Sequence, residues 1–280
     1  MIVVLLGLGS ALAYGLGDFL AGLLSRRIKV WTVAVVAQTA SAFGTGATVL
    51  LFPGDPVTSD WVWGAVAGVG SGVGTVFLYR GLAGGRMSVV APLSGVMAAL
   101  LPVLVGVLGG ERPSPVTWVG VACALPAIWL VSRSAGGEVS DRRSRRAGVT
   151  DGLLAGAGFG ALFGGLGLVS NGAGAGPLAL AQLTSVATIV GMALGLRRKW
   201  LPRNGSAARA AVPGLLGALA TVLFLRATQT GLLTVAAVLA SLYPAATVVL
   251  AALVLKEHIR MQQGAGLLLA GVAVALVAAG

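Results

Sequence analysis

The sequence predicts an all-α membrane protein of ten transmembrane helices, arranged as two inverted five-helix repeats. Three observations lead to this prediction: an extreme composition, ten long apolar runs and an internal repeat. Of the 280 residues, 57% are hydrophobic and only 10% are charged, and the mean hydropathy is +0.96. A soluble domain carries about 25% charged residues. The chain is therefore too apolar for a soluble protein, and we expect it to lie in a lipid bilayer.

Each of the ten apolar runs is long enough to cross a bilayer as a helix, which needs about 20 mainly apolar residues. The runs are apolar on all sides and too long for strands. Helices satisfy their own backbone hydrogen bonds within lipid, so they are the expected spanning form. The predicted spans are residues 2–24, 30–52, 61–79, 87–108, 116–131, 152–169, 178–196, 210–225, 232–255 and 261–279.

The second half of the chain repeats the first at an offset of 146 residues, without gaps in the best-matched part. The matching pairs are Arg80 and Arg226, Val89 and Val235, Glu111 and Glu257, and Gly120 and Gly266. Each copy holds five spans, and an odd number of crossings turns the second copy upside down in the membrane. We assign residues 1–133 to the first repeat, 134–149 to a basic linker and 150–280 to the second repeat.

The basic residues predict the orientation of the chain. A net charge of +11 would favour a nucleic-acid partner in a soluble protein, but here almost all Lys and Arg residues lie in short connectors. The connectors after odd-numbered spans hold 17 of them, and those after even-numbered spans hold 2. Because basic connectors stay in the cytoplasm, we expect the linker there, both termini outside and no nucleic-acid partner. A multi-pass protein of the plasma (inner) membrane is predicted.

Glycine recurs at every fourth position in two of the spans. This spacing places the glycines on one face of a helix, where another backbone can approach closely. We therefore expect spans three and six to be buried among other helices, with their glycine faces serving either static packing or sliding between the halves. The residues are Gly64, Gly68 and Gly72 in span three, and Gly152, Gly156, Gly160 and Gly164 in span six.

Short motifs in both halves point to one family of membrane proteins. In the first half, Arg86-Met87-Ser88-Val89-Val90-Ala91-Pro92 is followed by Gly110-Glu111-Arg112-Pro113 and Gly120. The second half ends with Lys256-Glu257, Gln263, Gly266 and Gly271, and the first span contains Ala13-Tyr14-Gly15 and Asp18-Phe19. Through these motifs the whole chain resembles EamA-type transporters of the drug/metabolite transporter superfamily.

The resemblance implies a central cavity lined by the first four helices of each half, with the fifth and tenth helices at the periphery. It also implies an alternating-access secondary transporter of small organic solutes, such as amino acids, other metabolites or amphiphilic drugs, and it favours export. Many relatives carry basic residues after span two, whereas residues 53–60 of this chain contain none. The direction of transport therefore cannot be transferred by position.

Asp18 is the one carboxylate that falls clearly within a predicted span. Charges inside the bilayer are costly and are functional candidates by default. Since burial favours the protonated form of a carboxyl group, Asp18 is a candidate proton acceptor. The alternative is a structural carboxylate near the inner interface, paired with a connector arginine or capping a helix. The other substrate-binding candidates, each also explicable by helix packing, are Tyr14, Gln38, Ser94, Phe163, Gln182, Ser241 and Tyr243.

Two glutamates and two arginines lie at equivalent ends of the two repeats. By the predicted orientation, Glu111 and Arg226 face outward, whereas Glu257 and Arg80 face inward. Opposite charges at the same end predict ion pairs between the halves that would act as gates. Interfacial anchoring is the alternative, because exposed ion pairs contribute only about 0–1 kcal/mol.

The sequence contains no HExxH, GxSxG, Walker or paired-cysteine motif. We therefore expect no enzymatic activity, no cofactor and no metal site. The expected partners are the lipid bilayer, a small-molecule solute and a coupling ion, with protons as a candidate; the oligomeric state is left open. Two other classes compete with a transporter: a non-transporting membrane scaffold or receptor, which needs no cavity, and an intramembrane lipid-modifying enzyme, which needs several polar residues clustered at one depth.

Overall fold

The computed structural model describes residues 1–25, 27–84, 87–132, 142–202, 205–256 and 258–280. Over these residues the fold is all-helical, and ten apolar segments have the length of a membrane span. The predicted fold class is therefore confirmed. The helices are α1 (Ile2–Ser25), α2 (Val30–Leu51), α3 (Thr58–Ala83), α4 (Met87–Leu108), α5 (Pro115–Ser132), α6 (Arg142–Gly167), α7 (Gly176–Gly195), α8 (Ala211–Thr230), α9 (Leu233–Ala240), α10 (Tyr243–Leu255) and α11 (Met261–Ala279), with a short 3₁₀ helix (Gly205–Ala210) before α8.

The ninth span consists of two helices rather than the single predicted one. Ser241 and Leu242 form a turn between α9 and α10. Pro244 is the second residue of α10, and in a continuous helix its ring would clash with the carbonyl group four residues earlier. In the first turn of a helix proline is well tolerated. Pro92 and Pro102, in contrast, lie inside α4 without ending it.

Three helices extend well beyond their predicted bounds. α3 runs from Thr58 to Ala83 instead of 61–79. α8 continues to Thr230, and the hydroxyl groups of Thr228 and Thr230 donate to carbonyl oxygens of the preceding turn, at 2.8 and 3.1 Å. Arg226 therefore lies within α8 rather than beyond its end. α6 begins at Arg142, so residues 142–149 of the predicted linker are helical.

Helices pack mainly across the two halves. α3 packs against α6 and α7, and its equivalent α8 packs against α1 and α2. α4 packs against α6, and its equivalents α9 and α10 pack against α1. The pairs α2–α7 and α5–α11 join equivalent helices. Exchanging the halves therefore maps the packing pattern onto itself, as expected for inverted repeats, and the core of the protein lies between the halves.

The two glycine faces form part of this contact between halves. The spans of α3 and α6 are the most buried, with 56% and 61% of their positions inside the protein, which confirms their predicted burial. The glycines of α3 face α7, where a Cβ atom on Gly64 would lie 2.5 Å from the carbonyl oxygen of Pro177. Those of α6 face α4, where a Cβ atom on Gly156 would lie 3.0 Å from Ser94 Cα. Each face thus allows one half to approach the other closely.

Substitution of Gly156 by alanine should destabilise the protein. The added methyl group would overlap the side chain of Met97 and the backbone of Ser94 on α4, and overpacking of this kind costs about 1–3 kcal/mol. We expect a lower melting temperature for purified Gly156→Ala in detergent, measured by size-exclusion chromatography after heating.

Gly164 provides the matched control, since it lies on the same face of α6 and also faces α4. A Cβ atom there would lie 3.4 Å from Val105 Cγ2, an ordinary contact distance. Gly164→Ala should melt within a degree or two of the unmodified protein. Equal losses in the two variants would show that close backbone approach at Gly156 does not limit stability.

Candidate functional site

A cavity of about 60 Å³ lies between the two halves. α1, α2 and α3 of the first half line it, together with α6, α7, α8 and α10 of the second half. α4 contributes no lining residue, so the four lining helices implied by the family resemblance are found in the second half only. α5 and α11 pack against each other and do not line the cavity.

Six of the eight predicted substrate-binding candidates line this cavity: Tyr14, Asp18, Gln38, Phe163, Gln182 and Tyr243. The structure places Ser94 and Ser241 outside the lining, although both are fully buried. The hydroxyl group of Ser94 donates to the carbonyl oxygen of Ala91 at 3.1 Å. Ser241 lies at the turn between α9 and α10. Both serines have a suitable depth in the membrane but do not line the cavity, although the Ser94 side chain lies beside the Tyr243 hydroxyl group.

Gln38 and Gln182 connect the halves by hydrogen bonds across the cavity. Gln38 Nε2 lies 3.0 Å from Ser71 Oγ in its own half. The same nitrogen lies 3.2 Å from Gln182 Oε1 and 2.5 Å from Ser185 Oγ in the other half. Gln182 Nε2 donates in turn to Thr221 Oγ1 at 3.2 Å. The network therefore links α2 and α3 to α7 and α8.

Asp18 lies among the three tyrosines of the chain. Tyr14, Tyr79 and Tyr243 line the same cavity as Asp18. No residue in the described part of the chain forms an ion pair or a hydrogen bond with Asp18, so the alternative of a paired connector arginine is not observed there. Asp18 is also the only charged group among the described residues that line the cavity. Within those same residues, no group of three or more His, Cys, Asp or Glu side chains could hold a metal ion.

Aromatic rings and free hydroxyl groups surround Asp18. The ring centroid of Tyr14 lies 5.7 Å from that of Phe163, in an edge-to-face arrangement, and 6.4 Å from that of Tyr243. The buried hydroxyl groups of Tyr14 and Ser41 have no hydrogen-bond partner among the described residues, whereas that of Tyr243 lies beside the Ser94 side chain. Because buried hydroxyl groups are normally hydrogen-bonded, these two are available to bind a polar solute.

The cavity lies closer to one end of the bundle. The end with the connectors after odd-numbered spans is called the basic end, and the opposite end the low-charge end. Tyr79, near the end of α3, and Pro213, in the first turn of α8, extend the lining toward the basic end. On the other side, the rings of Phe163 and Phe224 lie 4.6 Å apart, and buried Leu166 follows one turn later. An apolar cluster therefore separates the cavity from the low-charge end.

Asp60 joins the halves at the low-charge end. It is buried in the first turn of α3 and accepts hydrogen bonds from the backbone N–H and the hydroxyl group of Ser170, at 2.8 and 2.9 Å. It also accepts one from the N–H of Val57 at 2.9 Å. Beside it, connectors 52–57 and 168–175 pair through two backbone hydrogen bonds of 3.0 Å each. The connectors of the two halves are thus fixed to each other.

Glu111 makes a second contact between the halves at this end. Its carboxylate accepts hydrogen bonds from the backbone N–H groups of Leu233 and Thr234, the latter at 2.9 Å, and from the Thr234 hydroxyl group at 2.6 Å. The first N–H groups of a helix have no partner within the helix, and a carboxylate is favoured there by the helix dipole. Glu111, which follows α4 of the first half, therefore caps α9 of the second half.

Glu111 and Arg226 do not form the predicted ion pair in the part of the chain that the structure describes. The donors at the start of α9 surround the Glu111 carboxylate instead. Arg226 lies over the ring of Phe52, with its guanidinium carbon 4.1 Å from the centroid, and donates to Gln229 Oε1 at 3.3 Å. The two side chains therefore bind other groups in this conformation, and their pairing in another state stays a prediction.

At the basic end, Arg80 does join the halves, but through Asp151. Arg80 Nε donates to Asp151 Oδ1 at 2.9 Å, and the two side chains form an ion pair. Asp151 is fully buried in α6, and a buried carboxylate is costly unless it is paired. Glu257, the residue predicted to pair with Arg80, lies outside the described residues, so that pairing stays a prediction.

Comparison with known proteins agrees with this architecture. The model of the EamA-like transporter family matches residues 1–133 and 150–279. The chain belongs to this family. A protein of known crystal structure has a similar fold, with a TM-score of 0.69 and 17% sequence identity over 98% of this chain and 95% of that chain. At this identity the likeness shows the fold alone, and comparison with curated proteins finds no match. As a member of the EamA-like family, the protein is a multi-pass membrane transporter of small solutes.

Sequence analysis of this EamA-like transporter missed two buried carboxylates. Asp60 and Asp151 are 1% and 0% exposed, although Asp18 was predicted to be the only carboxylate clearly inside a span. Both were overlooked because α3 and α6 begin before their predicted starts. A signal was present, since each is an isolated acid directly before the apolar run, at Asp60-Trp61 and Asp151-Gly152.

Several polar residues of the cavity were also missed, namely Ser41, Ser71, Thr75, Tyr79 and Thr221. Thr75 and Thr221 occupy equivalent positions at the repeat offset of 146 residues. Equivalent positions of the two inverted copies face the same interface between the halves. A polar residue that recurs at such a position is therefore a candidate for the cavity lining, and this recurrence could have identified Thr75 and Thr221.

Replacement of Asp60 by asparagine should loosen the low-charge end. Both carboxylate oxygens of Asp60 accept hydrogen bonds, whereas asparagine has one acceptor oxygen and would leave at least one buried donor unpaired. The loss of such a bond costs about 1–3 kcal/mol, so Asp60→Asn should lower the melting temperature of the purified protein.

Asp55→Asn is the matched control, because Asp55 is exposed in the neighbouring connector and only its backbone N–H is hydrogen-bonded. It should melt like the unmodified protein. An unchanged melting temperature for Asp60→Asn would contradict a stabilising role of the Asp60–Ser170 contact.

Proposed function

We propose that this EamA-like protein is an alternating-access secondary transporter that exports a small organic solute, such as an amino acid, another metabolite or an amphiphilic drug. The observation that carries the proposal is the cavity between the halves, which contains a carboxylate, amide groups and free hydroxyl groups among aromatic rings. Small-molecule sites are typically apolar clefts with a few placed polar groups. A non-transporting scaffold or receptor would need no such cavity.

The contacts between the halves support alternating access. Asp60 and Glu111 hold the low-charge end closed, together with the apolar cluster beside Phe163. Arg80 and Asp151 join the halves at the basic end. We assign these contacts as gates that open in alternation, with the basic end in the cytoplasm and the termini outside, as the distribution of basic residues favours. Transport would then be driven by the gradient of the solute or of a coupling ion.

Asp18 is the candidate residue for coupling and for substrate binding. An unpaired carboxylate within a span can bind either a proton or a positively charged group of the solute. Its place in the cavity puts it within reach of a solute that contacts Tyr14, Gln38 or Tyr243. Protons are the first coupling ion to test.

Asp18→Asn should abolish proton-coupled uptake while leaving the protein folded. The substitution preserves size but removes the only charge among the described residues of the cavity lining. Solutes would first be identified by the rise in melting temperature that ligands of the folded protein cause. Transport would then be measured in proteoliposomes with an imposed pH gradient, with Asp55→Asn as the control. Normal uptake by Asp18→Asn would remove Asp18 from the mechanism.

Glu111→Gln should open the low-charge end more often. Glutamine has one acceptor oxygen, and its neutral amide cannot match the charge-assisted hydrogen bonds that Glu111 accepts from Leu233 and Thr234. Thr221→Cys, in a background with Cys123→Ala, provides a single thiol group in the cavity. We expect a membrane-impermeant maleimide applied from the low-charge end to label this thiol severalfold faster when Glu111→Gln is also present.

Arg112→Gln is the control for this experiment, because Arg112 is exposed in the same connector and its substitution also changes the charge by one unit. It should leave the labelling rate unchanged. Equal rates for Glu111→Gln and Arg112→Gln would refute the role of Glu111 in closing this end.

A further inference from the structure

The charge of the cavity restricts the solute it can hold. Among the described lining residues Asp18 is charged, and none is Lys, Arg or His. A carboxylate withdrawn from water is costly unless a positive charge accompanies it. Asp151, by comparison, has Arg80 as its partner, and Asp60 accepts three hydrogen bonds. Asp18 has neither kind of partner among the described residues.

The rings around Asp18 are suited to a cation. The faces of aromatic rings carry negative charge and attract ammonium groups, and cages of such rings bind quaternary ammonium ligands. Tyr14 and Tyr243 lie at an angle of 58° with centroids 6.4 Å apart, so their faces are not stacked on each other. Tyr79 also lines the cavity, together with Asp18.

The free polar groups of the cavity can all accept hydrogen bonds, and its hydroxyl groups can also donate. The amide nitrogens of Gln38 and Gln182 already donate within the network. The groups left without a partner are the Asp18 carboxylate and the hydroxyl groups of Tyr14 and Ser41. An ammonium group could donate to these oxygens. A phosphate or a carboxylate would meet Asp18 without a compensating positive charge.

We infer that the solute carries a positively charged amine, which Asp18 binds within the cage of Tyr14, Tyr79 and Tyr243. This inference rests on the proposed transport function and specifies its substrate class as small organic amines and quaternary ammonium compounds. The cavity of about 60 Å³ has room for only a few water molecules. A larger cation would therefore require the halves to separate.

The test uses three probes of nearly equal size that differ in charge: benzylammonium, benzyl alcohol and benzoate. Full-length purified protein is titrated with each probe at millimolar concentration and constant ionic strength, and its melting temperature is recorded. Benzylammonium should stabilise the protein, while benzyl alcohol and benzoate should have little effect. No shift with benzylammonium, or an equal shift with benzoate, would overturn the inference.

Two variants identify the groups that bind the cation. Asp18→Asn should lower the apparent affinity for benzylammonium by roughly thirtyfold or more, since it removes one charge of a buried pair. Tyr79→Leu, which removes the ring, should bind more weakly than Tyr79→Phe, which retains it. Each variant is first checked for an unchanged size-exclusion profile. Full binding by a folded Asp18→Asn protein would contradict the assigned site.

Failure of this inference can be distinguished from failure of the proposed function. Proteoliposomes that accumulate benzoate but not benzylammonium would show a transporter whose solute is not a cation. Binding of benzylammonium through Asp18 without transport of any bound amine would support the cation site and contradict the transport function.

Discussion

Close contact between helix backbones of opposite halves is the constraint on which this structure depends. Within lipid, apolar side chains gain little by leaving their surroundings, so helices associate through close packing and hydrogen bonds. Gly158 on α6 lies so near α3 that a Cβ atom on it would lie 2.5 Å from the backbone nitrogen of Gly74. Glycine at such positions thus determines where the halves touch, and the cavity between them is lined by larger side chains such as Phe163 and Tyr243 as well as by small ones.

Polar contacts between the halves occur at three depths, and their chemistry differs with depth. At the low-charge end, Asp60 and Glu111 bind mainly backbone N–H and hydroxyl groups. In the middle, neutral amides and hydroxyl groups bind one another. At the basic end, Arg80 and Asp151 form an ion pair. Water can replace partners at the two ends when they open, whereas the network in the middle consists of neutral groups, with Asp18 as the charged group among the described residues of the same cavity.

Much of the fold could be predicted because its signals are local in the sequence. Long apolar runs, the repeat offset and the spacing of the glycines led to ten spans, two repeats and buried third and sixth spans, which the structure shows. The candidates Gln38 and Gln182 were found by their depth within a span. Ser94 and Ser241 have similar depth but do not line the cavity, since a helix that is apolar on all sides does not reveal which face is turned inward.

Partners were harder to predict than positions. The opposite charges of Glu111 and Arg226 predicted an ion pair, but Glu111 accepts hydrogen bonds from backbone N–H groups at the start of α9. A pattern of charged residues in the sequence cannot indicate such backbone partners. The break between α9 and α10 was hidden for a related reason. Proline is tolerated inside α4 and ends a helix before Pro244, so its effect depends on the surrounding helices rather than on its presence.

The amide of Gln38 has two hydrogens but three acceptor oxygens within 3.2 Å of its nitrogen. It can therefore satisfy only two of Ser71, Ser185 and Gln182 at any moment. A shift of one half relative to the other can change which oxygens accept these hydrogen bonds without reducing the number of bonds that this amide makes. Such degeneracy lowers the energetic cost of rearrangement at the centre of the bundle, where a rigid, fully matched network would resist it.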